Sequence, residues 1–187
     1  MLRRTLLLAA VASAVAGPLR AQTLVEPTAT PETTADAFLR SVRAIRWDAT
    51  GLLIHPQTLE RFQILVSMIA AADTTGEARR YLTATDSSGF VALSGAEVFE
   101  RAIGAMIDDM PGLMHALYDR DDEVLGAVGE GADSAHAVYR TLARIGGAVP
   151  EVKVMQLART DAGWRILWSD ELEVLDAALR GVRTGRR

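Results

Sequence analysis

Residues 152–168 read VKVMQLARTDAGWRILW, and this stretch decides the fold. Along Val152–Arg159, the pattern of residue types has a period of two, as in a β-strand. Trp164–Trp168 is a second run rich in apolar residues. Between them, Asp161-Ala162-Gly163 has the composition of a tight turn, because glycine accepts the positive φ that such turns need. The pattern predicts two antiparallel strands joined by that turn.

The same period of two begins further upstream, near Glu123. Glu123–Gly129 and Ala135–Arg144 are two more candidate strands, separated by the turn residues Gly131-Ala132-Asp133. Short links between successive strands predict an antiparallel four-stranded meander. After the last strand, a C-terminal helix is predicted by apolar residues at helical spacing, namely Leu172, Leu175, Leu179 and Val182.

The residues before the sheet have the period of helices. Thr30-Pro31 combines an N-cap residue with a first-turn proline, and the helix that follows carries Ala35, Phe38, Leu39, Val42 and Ile45 at helical spacing. A second helix begins at Pro56 and is apolar on several faces, so we expect it to be deeply buried. Its apolar residues are Leu59, Phe62, Ile64, Leu65, Val66, Met68 and Ile69.

Two further helices complete the first half of the chain. A short helix is predicted over residues 77–82, and Ser94 three residues before Glu97 has the spacing of a capping box. Pro111-Gly112 ends that last helix. The order of elements predicts an α+β fold, with helices packed on one face of a curved four-stranded sheet and a closing C-terminal helix.

Length and composition exclude several classes of site. The chain has 187 residues, a length typical of one domain, and contains no cysteine. Disulfides, cysteine metal ligands and a cysteine nucleophile are therefore excluded. Residues 22–187 carry 17 basic and 24 acidic residues, and this negative charge disfavours nucleic-acid binding.

The first residues have the pattern of a signal peptide. Residues 1–4 read MLRR, and Leu6–Ala16 is an uncharged, largely apolar run of eleven residues. Such a run suits the core of a signal peptide and is too short to span a bilayer. Cleavage after Ala16 or after Ala21 fits the small residues there, and we favour Ala21. Arg3-Arg4 leaves twin-arginine export open beside ordinary secretion.

These features predict an exported protein, periplasmic or secreted. Residues 1–21 form the signal peptide, residues 22–33 a short flexible leader rich in Thr and Pro, and residues 34–183 a single domain. No later stretch reaches the roughly 18 uninterrupted apolar residues of a membrane span, so we expect no stable membrane anchor.

Two stretches resemble the nuclear transport factor 2-like (SnoaL-like) superfamily. Trp47-Asp48-Ala49, followed by Leu52–Pro56, is similar to a turn of that superfamily that ends in a proline step. Residues 152–166 are similar to its last hairpin. The resemblance covers most of residues 34–169 and implies a cone-shaped α+β domain. The helical pattern of residues 57–72 departs from it, because the superfamily has its first strand there.

The resemblance leaves the activity open, because this superfamily includes isomerases, dehydratases, cyclases and non-catalytic binding domains. In a cone-shaped domain the pocket lies between the sheet and the helices. A histidine or tyrosine in such a pocket is able to act as a general acid or base. We predict four residues as pocket lining and assign no catalytic residue; the four are His136, Tyr139, Gln156 and Trp168.

No metal or cofactor is predicted. The three histidines, His55, His115 and His136, lack the spacing of metal ligands. The charged run Asp119–Glu123 lacks the spacing of a calcium loop, and we interpret it as a solvated loop before the first strand of the meander.

Three functions stay open. The favoured hypothesis is an exported, non-catalytic domain that binds a small apolar ligand or a partner protein. The second is a cofactor-free enzyme of the isomerase or dehydratase type that uses His136 or Tyr139. The third is a pocketless interaction module of the cell envelope.

We also expect a homodimer. The predicted strands carry large apolar side chains on both faces, and an apolar second face is unfavourable in water. Either the C-terminal helix or a second copy of the chain has to cover it.

Overall fold

The computed structural model describes residues 29–86, 89–109, 117, 119–144 and 149–183. The predicted signal peptide, most of the predicted leader and His115 lie outside these ranges. The fold is α+β: helices pack on one face of a four-stranded antiparallel sheet, and a C-terminal helix closes the chain. The predicted fold class is therefore confirmed.

Five α-helices and six strands lie in the described residues, together with one short 3-10 helix at Glu77–Tyr81. The α-helices are α1 (Pro31–Arg43), α2 (Trp47–Leu53), α3 (Pro56–Ala72), α4 (Gly95–Asp109) and α5 (Asp170–Arg183). The strands are β1 (Thr83–Asp86), β2 (Gly89–Ala92), β3 (Arg120–Gly129), β4 (Ser134–Ala143), β5 (Glu151–Thr160) and β6 (Gly163–Trp168).

The main sheet is the predicted meander. Its strand order is β3-β4-β5-β6, and all neighbouring strands are antiparallel. Gly131 and Gly163 have φ values of 78° and 96°, which only glycine adopts without strain, at the turns that join β3 to β4 and β5 to β6. A bulge in β3 lies between Val124 and Gly126.

Helices α1, α3 and α4 start where the sequence signals predict. The Thr30 side chain accepts a hydrogen bond from the backbone N–H of Thr33. Ser94 and Glu97 form the predicted capping box, in which the Ser94 N–H donates to Glu97 Oε2 over 2.9 Å. His55 caps α3, because its Nδ1 accepts the N–H of Gln57 over 3.2 Å. Each cap satisfies a backbone donor that the helix cannot pair itself.

Two expectations about the helices are wrong. Helix α1 ends at Arg43, and Ile45 is exposed with a φ of 57°, because the chain turns there into the separate helix α2. Helix α3 is not deeply buried on all faces: Ile64 is 55% exposed and Met68 is 43% exposed. Helix α3 packs against α4 and α5, and it leaves these two side chains to solvent.

The β1–β2 hairpin is an element that the sequence patterns missed. Its strands have four residues each, too few for a period to stand out. The hairpin lies over a small second core made by Val66, Leu93, Val98 and Ala102, with Ala84 packed against it.

The main core lies between the helices and the inner face of the sheet. Phe62 and Phe99 meet edge to face at its centre, with ring centroids 5.2 Å apart, and Trp47 packs on Phe99. The sheet contributes Ala137, Tyr139, Met155, Leu157 and Ile166, and α5 contributes Leu172, Leu175 and Leu179. Helix α5 therefore lies on the inner side with the other helices and does not cover the outer face of the sheet.

We expect Phe99→Ala to lower the free energy of unfolding by about 3–5 kcal/mol, because it leaves a cavity in the centre of the core. The matched control Ile64→Ala removes an exposed apolar side chain and should change this free energy by no more than about 0.5 kcal/mol. Urea unfolding followed by circular dichroism measures both. Equal losses for the two variants would contradict the assignment of the core.

Candidate functional site

The four predicted site residues lie at different places around the sheet. Tyr139 points to the inner face and is fully buried. His136 and Gln156 lie on the outer face, opposite each other on β4 and β5. Trp168, at the end of β6, packs against the main core, with the guanidinium of Arg61 4.4 Å from its ring centre. These four residues therefore do not line one common pocket.

Tyr139 belongs to a group of polar side chains that we call the buried cluster, made by Arg120, Asp122, Tyr139 and Glu171. The Tyr139 hydroxyl lies 3.0 Å from Glu171 Oε1 and 3.1 Å from Oε2, and donates its proton to this carboxylate. Arg120 Nη2 donates to Glu171 Oε1 over 2.7 Å. Glu171 is fully buried in the first turn of α5. The cluster thus joins α5 to strands β3 and β4.

Asp122 is the least well paired member of the buried cluster. Its side chain is only 3% exposed, and its Oδ2 lies 3.3 Å from Arg120 Nε. Among the described residues, neither oxygen of Asp122 has a hydrogen-bond partner of good geometry, although the hydroxyl of Thr141 faces the carboxyl. Burial raises the pKa of Asp122, and the positive charge of Arg120 opposes this effect.

The interpretation of Asp119–Glu123 as a solvated loop is wrong for most of its residues. Arg120 and the three residues that follow belong to β3, which pairs with β4 as far as Ala143. Because side chains alternate along a strand, Arg120 and Asp122 point to the inner face. Asp121 and Glu123 stay exposed on the outer face.

Sequence reasoning missed Arg120, Asp122 and Glu171 as members of a site. Charges on successive residues carry no apolar alternation, so the start of β3 had no periodic signal. Glu171 follows Asp170 in the first turn of a helix, where acidic residues are common because they interact favourably with the helix dipole. Its burial depends on the packing of α5 and has no local sequence signal.

The geometry holds Tyr139 as a neutral phenol. Burial, together with the negative charge and hydrogen bond of Glu171, raises the pKa of Tyr139 above its usual range. Its proton is directed at both oxygens of a carboxylate that Arg120 also binds. In this position Tyr139 ties structural elements together and is poorly placed to exchange a proton with a substrate.

The outer face carries a set of exposed apolar side chains that we call the outer patch, made by Val128, Leu142, Val152 and Val154. All three valines of the outer patch are at least half exposed. The partly buried Val138 lies opposite Val154 at the middle of the sheet. The outer patch is an unusual feature for a surface in water, because sheet faces exposed to solvent are normally polar.

Charged side chains lie among and beside the residues of the outer patch, in ion pairs. Arg140 pairs with Glu123, and Arg144 Nη2 lies 2.7 Å from Asp121 Oδ1. At the other end, His136 Nε2 lies 2.9 Å from Glu130 Oε2. His136 is therefore a neighbour of the outer patch with a carboxylate partner of its own.

The described part of the chain contains neither a cluster of metal ligands nor a helix that could span a membrane. No three histidine, aspartate or glutamate side chains come together there as a set able to hold a metal ion. No described helix has both the length and the apolar character needed to cross a bilayer.

Comparisons with protein-family models, curated proteins and solved structures found no match to this chain. The resemblance to the nuclear transport factor 2-like superfamily therefore stays a prediction. The buried cluster and the outer patch are the two features of the described residues that bear on function.

We expect Tyr139→Phe to leave the phenolate absorbance of the native protein unchanged between about pH 8 and about pH 11, because the raised pKa of Tyr139 keeps it neutral there. After unfolding in urea, the variant should show one phenolate fewer than the wild type. It should also lower the free energy of unfolding by about 1–3 kcal/mol, because Glu171 loses a donor. A native variant that already lacks one phenolate would contradict the buried hydrogen bond.

Proposed function

We propose that this protein is an exported, non-catalytic interaction domain that binds a partner protein over the outer face of its sheet. The observation that carries the proposal is the outer patch, which α5 leaves uncovered. Full burial of one valine or leucine side chain contributes about 1.5–3 kcal/mol, and covering the exposed part of each of these side chains contributes a fraction of that value in favour of association.

The packing of the inner face also supports the proposal, because it favours binding at the outer face. Tyr139, Met155, Leu157 and Ile166 are all fully buried there against the helices. An enzyme that used Tyr139 as acid or base would first have to release it from Glu171. The packing of these side chains against the helices favours the outer face over the inner face as the binding surface.

The charges around the outer patch also favour protein association. Since Arg140 and Arg144 already have carboxylate partners in the chain, a partner that covers the patch leaves both guanidinium groups with a counter-ion. A buried charge without a partner costs more than a buried ion pair, so this pairing lowers the cost of covering the patch.

A second copy of the chain is one partner that satisfies these conditions, and the homodimer predicted from the sequence is included in the proposal. In a twofold interface, residues near the axis meet their own counterparts. The centre of this face is formed by Val138 and Val154, which are uncharged. Self-contact there brings no like charges together.

A photo-crosslinking amino acid at position 154 tests the proposal in the native host. We expect a discrete crosslinked protein product from position 154, which is 51% exposed on the outer face. The matched position 64, which is 55% exposed on α3, should give none. A product of twice the monomer mass identifies a second copy, and another mass identifies a different protein. Equal crosslinking at both positions, or none at position 154, contradicts the proposal.

Export is tested by mass spectrometry of the native protein. We expect the chain to begin at Gln22 in the exported fraction, because a small residue at Ala21 precedes the favoured cleavage point. An intact Met1–Arg20 segment on a cytosolic protein would contradict export.

A further inference from the structure

The buried cluster contains more potential negative charge than positive charge. Asp122 and Glu171 are two carboxyl groups beside one guanidinium, that of Arg120. Arg43, from α1, also faces Asp122, but its guanidinium lies 3.4 Å from Asp121 on the outer face and is shared with it. Two ionised carboxylates in this place would leave one negative charge poorly compensated away from water.

The hydrogen bonds show which carboxyl is the weaker competitor for Arg120. Glu171 accepts donors from both Arg120 and Tyr139 at 2.7–3.1 Å. Asp122 has the longer 3.3 Å contact to Arg120 Nε and, apart from the Thr141 hydroxyl that faces it, no polar partner close to hydrogen-bonding geometry among the described residues. A proton that enters the cluster is therefore most favourably placed on Asp122.

We propose that Asp122 binds a proton in the folded protein, and that the buried cluster is a pH-dependent contact between helix α5 and strands β3 and β4. With Asp122 neutral, Glu171 is the only carboxylate of the cluster that pairs with Arg120, and this ion pair attaches the first turn of α5 to the sheet. With Asp122 ionised, it competes with Glu171 for Arg120 and repels the Glu171 carboxylate, so the attachment of α5 weakens.

The direction of the pH effect follows from linkage. The pKa of Asp122 is higher in the folded than in the unfolded chain, because burial disfavours its charged form. Its contribution to stability is therefore complete below the unfolded pKa of about 3.9, and is lost as the pH rises through the folded pKa. Between these two values, the unfolding equilibrium constant should rise by up to about tenfold per pH unit from this group.

Asp122→Asn tests the contribution of Asp122 protonation to stability, because asparagine resembles the neutral acid in shape. We expect the ratio of the unfolding constants of wild type and variant to increase as the pH rises from about 4 to about 7. The control is Asp121→Asn, on the neighbouring residue. The pKa of Asp121 is lowered by its hydrogen bond with Arg144, so its ratio should stay flat over that range and change only below about pH 4. A flat ratio for Asp122→Asn would overturn the proposal.

Two measurements separate proton binding from a purely structural role. The carboxyl carbon of Asp122, followed by nuclear magnetic resonance in the wild type, should titrate above its usual range. A value at or below about 3.9 would overturn the proposal even if the variant failed to fold. Amide exchange in α5, corrected for the intrinsic effect of pH, should accelerate as the pH rises in the wild type and stay level in Asp122→Asn. Equal acceleration in both would also overturn it.

Discussion

Successive side chains of a β-strand point to opposite faces of the sheet, and the rest of this structure depends on that alternation. On β4 it sends Ala137 and Tyr139 into the core and leaves His136 and Val138 on the outer face. On β3 it divides a run of charged residues, so that Asp122 is buried while Asp121 remains in water. The core, the buried cluster and the outer patch are three results of one geometric constraint.

The inner face combines apolar packing with one polar connection. Apolar side chains hold the helices to the sheet without fixing their orientation, because dispersion and the hydrophobic effect have little directionality. The hydrogen bonds from Arg120 and Tyr139 to Glu171 are directional, and they link residues 51 and 32 positions apart in the chain. They therefore define where the first turn of α5 sits, at the cost of burying charge.

Much of the fold could be predicted from local patterns. Turn residues such as Gly131 and Gly163 located the strand ends, and the Ser94–Glu97 pair located a helix start, because these signals act over a few residues. Prediction failed where packing decides. The outward face of α3 is apolar and was therefore predicted to be buried, although Ile64 is exposed. The four-residue strand β1 is too short for a period of two to be recognised. The candidate site was predicted less well, since only Tyr139 of the buried cluster was chosen.

By itself, the sequence determined that helices precede the main sheet, that this sheet is an antiparallel meander followed by a helix, and that the chain is negatively charged. These depend on periodicity, turn chemistry and composition, which are local or additive. Only the tertiary structure decided which face of each strand is buried, that α5 lies on the inner side, and that Arg120, Asp122 and Glu171 meet. The reason is that such contacts join distant parts of the chain, and their free energy depends on the simultaneous packing of several elements. A charged residue has the same local signal whether it ends in water or in the core.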